Sequence, residues 1–273
     1  MVRLIIHAAL VILLTLLTQV GGLAYLLALA IARFLKKYRR NNVWMASAVF
    51  LICYGGVSFG SAWMAPHFGR VPLPCFSSEQ STLAMQSPVY CILNRHYVRP
   101  ELHDLSVRLS AHLDQKYPGT TTLMLDANFP FFNGFPLLPH LSHSDGGKLD
   151  LAYFYQTPAG EYLPGRTKSP IGYWAFEEPI SGSPQPCADQ VTLFTLRWDL
   201  RWFEPFTRGY DLEKNRTRAA VEWLVTSGKE AGVSKIFIEP HLVEALGVGS
   251  DLIRFQGCRA ARHDDHIHVE VRP

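Results

Sequence analysis

The first 78 residues contain neither aspartate nor glutamate; Glu79 is the first acidic side chain. Two long apolar runs fill that region, residues 4–32 and residues 43–65. Each matches or exceeds the length of about 20 apolar residues that a membrane-crossing helix needs. No cysteine pair has the C-x-x-C spacing of a thiolate zinc site, and no internal repeat is visible. No basic stripe interleaved with aromatics is present, which argues against a nucleic-acid partner. The length of 273 residues fits one catalytic domain with accessory segments.

Between the apolar runs, Arg33, Lys36, Lys37, Arg39 and Arg40 form a basic loop. Positive loops stay on the cytoplasmic side. The expectation is therefore a two-helix transmembrane hairpin (1–65) in the inner, cytoplasmic membrane. Both termini and the following domain would then stand on the periplasmic or outer side. A cleaved signal peptide fits less well, because only Arg3 precedes the first run and its apolar core is too long. Gly21 and Gly22 would permit a bend or close helix packing. His7 and Gln19 read as polar residues tolerated near an interface or between helices. Outside the first 65 residues the chain carries 20 basic and 23 acidic side chains. The overall charge of +3 thus reports membrane orientation.

Cys53 lies within the second run and reads as a small buried apolar residue. Cys75, Cys91, Cys187 and Cys258 form an even set on the expected oxidising side, so two disulfides are expected. Three pairings are open; Cys75 with Cys91 and Cys187 with Cys258 is the one expected. Residues 66–95, rich in Pro, Ser and Gly, read as a linker. Residues 96–273 read as the catalytic domain. In it, Leu102, Leu105, Leu109 and Leu113 recur at helical spacing over residues 100–117. A second helix is expected over residues 211–232. Strands are expected at residues 120–128, 149–155, 235–239 and 266–271, and a long surface excursion at residues 156–190. The irregular alternation points to an α+β fold with a small, mostly antiparallel sheet and flanking helices. Tyr173, Trp174 and Phe176 on the excursion would line a cleft or cover the core.

The densest chemistry lies at the C-terminal end, in His263-Asp264-Asp265-His266-Ile267-His268-Val269. On a strand, residues i and i+2 face one side, so His266 and His268 point at one spot while Ile267 and Val269 point into a core. A second cluster supplies His140, His143 and, across a Gly146-Gly147 turn, Asp150. A carboxylate between Leu149 and Leu151 is costly unless paired or bound to a cation. His143, Asp150 and His268 are therefore the candidate ligands of a metal, with zinc favoured, and His266 sits beside the open position. His67, His96, His103, His112 and His241 read as solvated.

The pattern His140-x2-His143-x6-Asp150, followed by the final histidine run, resembles the penicillin-insensitive murein endopeptidases. These belong with the lysostaphin-like, D-alanyl-D-alanine-cleaving and hedgehog-like zinc domains. Tyr210-Asp211-Leu212-Glu213-Lys214-Asn215 and Lys235-Ile236-Phe237-Ile238-Glu239-Pro240 are supporting matches. The resemblance covers about residues 120–273. It implies zinc at His143, Asp150 and His268, with His266 as catalytic partner and His140 and His263 as neighbouring histidines. Asp265 occupies the place of an acidic residue in carboxypeptidase-like relatives, but on a regular strand it points away from His268. Arg216 replaces the usual tryptophan, and Glu239 stands where a shorter polar residue is commoner. The implied activity is hydrolysis of peptidoglycan cross-links, with peptide stems as the partner. D-alanine trimming and a non-enzymatic zinc- or wall-binding module are the rival expectations.

Overall fold

The computed structural model describes residues 1–35, 43–78, 81–189, 197 and 201–272. Its N-terminal part begins with α1 (Val2–Thr18), α2 (Gly21–Leu35) and α3 (Val43–Met64). The basic stretch at residues 36–42 lies outside the described residues. The first apolar run is thus not one crossing helix, and the expected two-helix transmembrane hairpin is not supported by the described residues. Gln19 adopts a left-handed backbone (φ 65°) that ends α1, and α2 folds back along it. A Cβ on Gly22 would stand 2.1 Å from the Thr15 hydroxyl and 2.7 Å from the Val11 carbonyl oxygen. Only glycine admits that approach. His7 Nδ1 lies 2.7 Å from the Tyr25 hydroxyl, pairing the start of α1 with α2 in antiparallel sense. At 17 and 15 residues, these helices run about 25 and 22 Å, short of a bilayer core of about 30 Å. Among the described residues one helical run, Val43–Phe68, has the length and apolarity to cross.

Residues 66–95, expected as a linker, build structure instead. They supply β1 (Val71–Pro72), β2 (Leu83–Met85) and α4 (Pro88–Ile92), and Cys75–Cys91 closes them on themselves. Next come β3 (Tyr97–Val98), α5 (Pro100–Lys116), β4 (Thr122–Met124), β5 (Lys148–Ala152) and β6 (Tyr155–Gln156). After the excursion follow β7 (Asp211–Leu212), α6 (Lys214–Val225), α7 (Ser227–Glu230), β8 (Val233–Phe237), α8 (Pro240–Leu246), β9 (Ile253–Arg254) and β10 (His266–Val271). The fold is α+β. Its main sheet has the order β2-β4-β5-β10-β8-β9. The three inner pairings are antiparallel and both edge pairings parallel, so the sheet is mixed.

Sequence chemistry accounts for the helices that back this sheet. Pro100 stands in the first turn of α5, where its missing N–H costs nothing. Leu102, Leu105, Leu109 and Leu113 form the buried stripe of α5. Glu213 caps α6 by accepting the Arg216 N–H at 2.6 Å. Ala219, Ala220, Val221 and Leu224 bury its inner face. On β5 and β10, Leu149, Leu151, Ile267 and Val269 join the core. Burying side chains of this size contributes about 1.5–3 kcal/mol each. Their strand neighbours, of opposite facing, are Asp150, His266 and His268. The second disulfide, Cys187–Cys258, closes a separation of 71 residues. Loop entropy makes such a closure worth about 4 kcal/mol.

A candidate metal centre on the inner strands

The register of β10 against β5 sets His268 directly opposite Asp150. His268 Nδ1 lies 2.8 Å from Asp150 Oδ1. The third donor arrives on the loop between β4 and β5: His143 Nε2 is 3.3 Å from Asp150 Oδ1 and 3.1 Å from His268 Nδ1. All three residues are buried. Ligands about 2.0–2.1 Å from a tetrahedral zinc stand about 3.3–3.4 Å from one another. Two of the separations come close to that and the third, between His268 and Asp150, is a hydrogen-bond distance; two imidazoles with one carboxylate are a zinc-type donor set.

The atoms behind the donors fix their orientation. His143 Nδ1 lies 2.7 Å from the Ala127 carbonyl oxygen. That oxygen can only accept, so the Nδ1 carries the proton and Nε2 is left with its lone pair. Tyr173 donates its hydroxyl hydrogen to Asp150 Oδ2 at 2.5 Å, leaving Oδ1 to face the other donors. His268 Nε2 lies 3.5 Å from Glu270 Oε1. Such outer partners set tautomer and ring orientation in metal sites.

His266 stands at the edge of this set, its Nε2 3.7 Å from Asp150 Oδ1. Its Nδ1 is 2.5 Å from Asp265 Oδ1, and Asp265 Oδ2 accepts the Trp174 N–H at 2.6 Å. Asp265 therefore braces His266 rather than reaching the donors itself. Trp174 makes that bond from a left-handed backbone (φ 66°). The structure also brings His140 and His263 to the same place. His140 Nδ1 is 2.8 Å from Asp126 Oδ2 and 3.5 Å from Asp150 Oδ2. The His263 ring lies 4.9 Å from that of His266. Its Nδ1 is buried and finds no hydrogen-bond partner among the described residues.

Burial and neighbouring charge pull the titrations apart. Burial pushes the Asp150 carboxyl up, but the adjacent His143 and His266 outweigh it and hold it well below the usual range. Burial drives His143 down. It acts on His268 too, but hydrogen bonds to Asp150 and Glu270 prevail and His268 is raised. His266 is likewise lowered by burial, yet the charges of Asp150 and Asp265 lift it to about 9. Burial and the proximity of His266 leave His263 well below the ordinary imidazole value.

Several partners escaped the sequence reading. Asp126 is buried, pairs with Arg95 through two contacts of 2.5 and 2.6 Å, and carries His140. Burial pushes its carboxyl up, but Arg95 and His140 bring it down to about 2. Its signal was the one that exposed Asp150, a carboxylate at the end of an apolar strand. Tyr173, expected to line a cleft or cover the core, is the hydroxyl partner of Asp150. His96 and His241, expected as solvated, are buried. Glu239 has its length used: it pairs with Arg197 at 3.0 Å and accepts the His263 N–H at 3.2 Å. Arg216 stacks over Tyr162 at 3.8 Å, away from the donors.

A second trio of donor-type residues, Cys75, Cys91 and His96, also lies close together. Its sulfurs are bonded to each other, so it offers no thiolate. Both expected disulfides form, and Cys53 is the buried free cysteine. The chain matches no model of a known protein family, and a search of curated proteins returns no match.

Proposed function

We propose that the chain is a zinc metallopeptidase that hydrolyses peptide cross-links of peptidoglycan, a murein endopeptidase. In this reading α3 anchors it in the cytoplasmic membrane and the catalytic domain stands on the outer side. The observation that carries the proposal is the meeting of His143, Asp150 and His268 donors within 3.3 Å, with His266 alongside. The resemblance of both histidine clusters to the murein endopeptidases supplies the substrate class.

His143, Asp150 and His268 would hold the zinc. When bound, zinc supplies Lewis acidity and draws a nucleophile from water near neutral pH. His266 handles the proton. Asp265 keeps hold of its Nδ1–H, so Nε2 is the atom that donates to a developing oxyanion or accepts a proton. His140, tied to Asp126, and His263, whose Nδ1 has no partner among the described residues, line the space around it and orient polar groups of the peptide. Binding of peptide stems, rather than of a flat apolar ligand, suits such a ring of imidazoles.

Digestion of purified muropeptides by the full-length protein tests the reading. Cross-linked dimers are expected to fall to monomers, with chelator abolishing the reaction and penicillin leaving it intact. Loss of single alanines would instead indicate a D-alanine carboxypeptidase. Unchanged muropeptides would indicate a non-enzymatic zinc- or wall-binding module. The His266→Ala variant is expected to keep its zinc and lose about 10²–10⁴-fold in rate. Full activity in that variant would remove His266 from the mechanism.

A further inference from the structure

The catalytic domain does not hang from α3 by a tether. Inside α3, the Tyr54 hydroxyl donates to the Ile92 carbonyl oxygen at 2.5 Å, and the Asn94 amide donates to Tyr54 and to the Ser58 hydroxyl. The domain therefore reaches along the flank of the apolar helix. At the end of that run, Phe68 packs edge-on against Phe131 and Phe132, with ring centres 4.8 and 5.6 Å away. The break between α1 and α2 docks at the same place. Gln19 accepts the Phe131 N–H at 2.8 Å and donates to the Phe131 carbonyl oxygen at 3.2 Å.

Bordering these contacts are apolar side chains that the described residues leave largely exposed. Phe132 is 64% exposed, Ile92 59% and Val89 47%. Phe132 also holds a left-handed backbone (φ 33°), unusual for an aromatic residue. A folded chain that spends strain to point a phenylalanine outward, beside an apolar helix end, marks a surface that meets an apolar phase. Its continuity with the exposed flank of α3, where Ile52 is 75% exposed, identifies that phase.

We infer that this face of the domain, with Phe132 and Ile92, sits in the outer leaflet of the lipid bilayer. The inference rests on the proposal that α3 crosses the membrane. Phe132 belongs to the loop that also delivers His140 and His143, and the Gly134 N–H of that loop donates to the Ser144 carbonyl oxygen at 2.8 Å. The lipid surface thus holds the segment carrying one of the metal donors, and the peptides cleaved are those of the wall layer next to the membrane.

A photo-reactive benzophenone side chain placed in turn at Phe132, Ile92, Ile52 and Ile180 tests this in the full-length protein. The protein is reconstituted in vesicles of phosphatidylethanolamine and phosphatidylglycerol, irradiated and analysed by mass. Ile180 is as exposed as Ile52, at 75%, but lies on the excursion. Phospholipid adducts at Phe132 and Ile92, in yields comparable with Ile52 and well above Ile180, are expected. Adducts at Ile52 without any at Phe132 and Ile92 would overturn the inference and leave the span standing. No adduct at Ile52 would overturn both. Cross-linked dimers in place of lipid adducts at Phe132 would assign the face to a second copy of the chain.

Discussion

Tyr173 stands 23 residues beyond Asp150, yet its hydroxyl fixes which oxygen of that candidate ligand faces His143 and His268. Removing an outer partner of this kind lowers metal affinity by about 10–100-fold. Tyr173→Phe is expected to lose zinc affinity in that range, read by competition with a chromophoric chelator, with the fold intact. His96 makes a separate test, away from the centre. Burial lowers its imidazole from 6.5 to about 4. Between those values the unfolded chain binds a proton that the native state refuses. Stability therefore falls as pH drops from about 6.5 to about 4, by roughly 3 kcal/mol, and this contribution is flat outside that window. Denaturant midpoints followed across pH should show a shallower slope in His96→Phe than in the native sequence, the remainder coming from His143 and His263, whose imidazoles burial also lowers. The convergence of His266, His268 and Asp150 was legible in the sequence, because period-two alternation aims His266 and His268 alike and because Asp150 interrupts an apolar strand. Arg95 and Tyr173 were not, since their roles come from tertiary contacts that no local spacing encodes, whereas Asp126 ends an apolar strand and so carries the same kind of signal as Asp150.

At the scale of elements, helical and strand periodicity carried well where one face is apolar. The leucine stripe of α5 and the strand Lys-Leu-Asp-Leu-Ala at β5 lie where the pattern puts them. The pattern failed where the decisive feature is an exception to periodicity. The apolar run at residues 4–32 reads as continuous, but Gln19 and the glycine pair turn it back on itself. β2 is three residues long in a Pro- and Ser-rich stretch, too short for alternation to register, and it pairs in parallel with a strand far along the chain. The bend makes its own prediction. Gly22→Leu forces a side chain into the Thr15 hydroxyl and Val11 carbonyl and is expected to cost about 1–3 kcal/mol. Gly60→Leu, with nothing within 4 Å of its Cβ, is the control and should leave the unfolding midpoint unchanged.

For the molecule as a whole, composition located the boundary between an acid-free apolar region and a nearly balanced domain, and it separated the cysteines in the same way. Two disulfides, a mixed sheet and a packed α3 then hold the two clusters of histidines in register. The central claim is that His143, Asp150 and His268 hold a single zinc ion. Calorimetric titration of metal-free, full-length protein with zinc tests it most directly. The account predicts one tight site in the native sequence. Asp150→Asn and His268→Gln should each weaken it by more than the about 10–100-fold expected of Tyr173→Phe. Zinc binding of unchanged stoichiometry and affinity in both variants would contradict it.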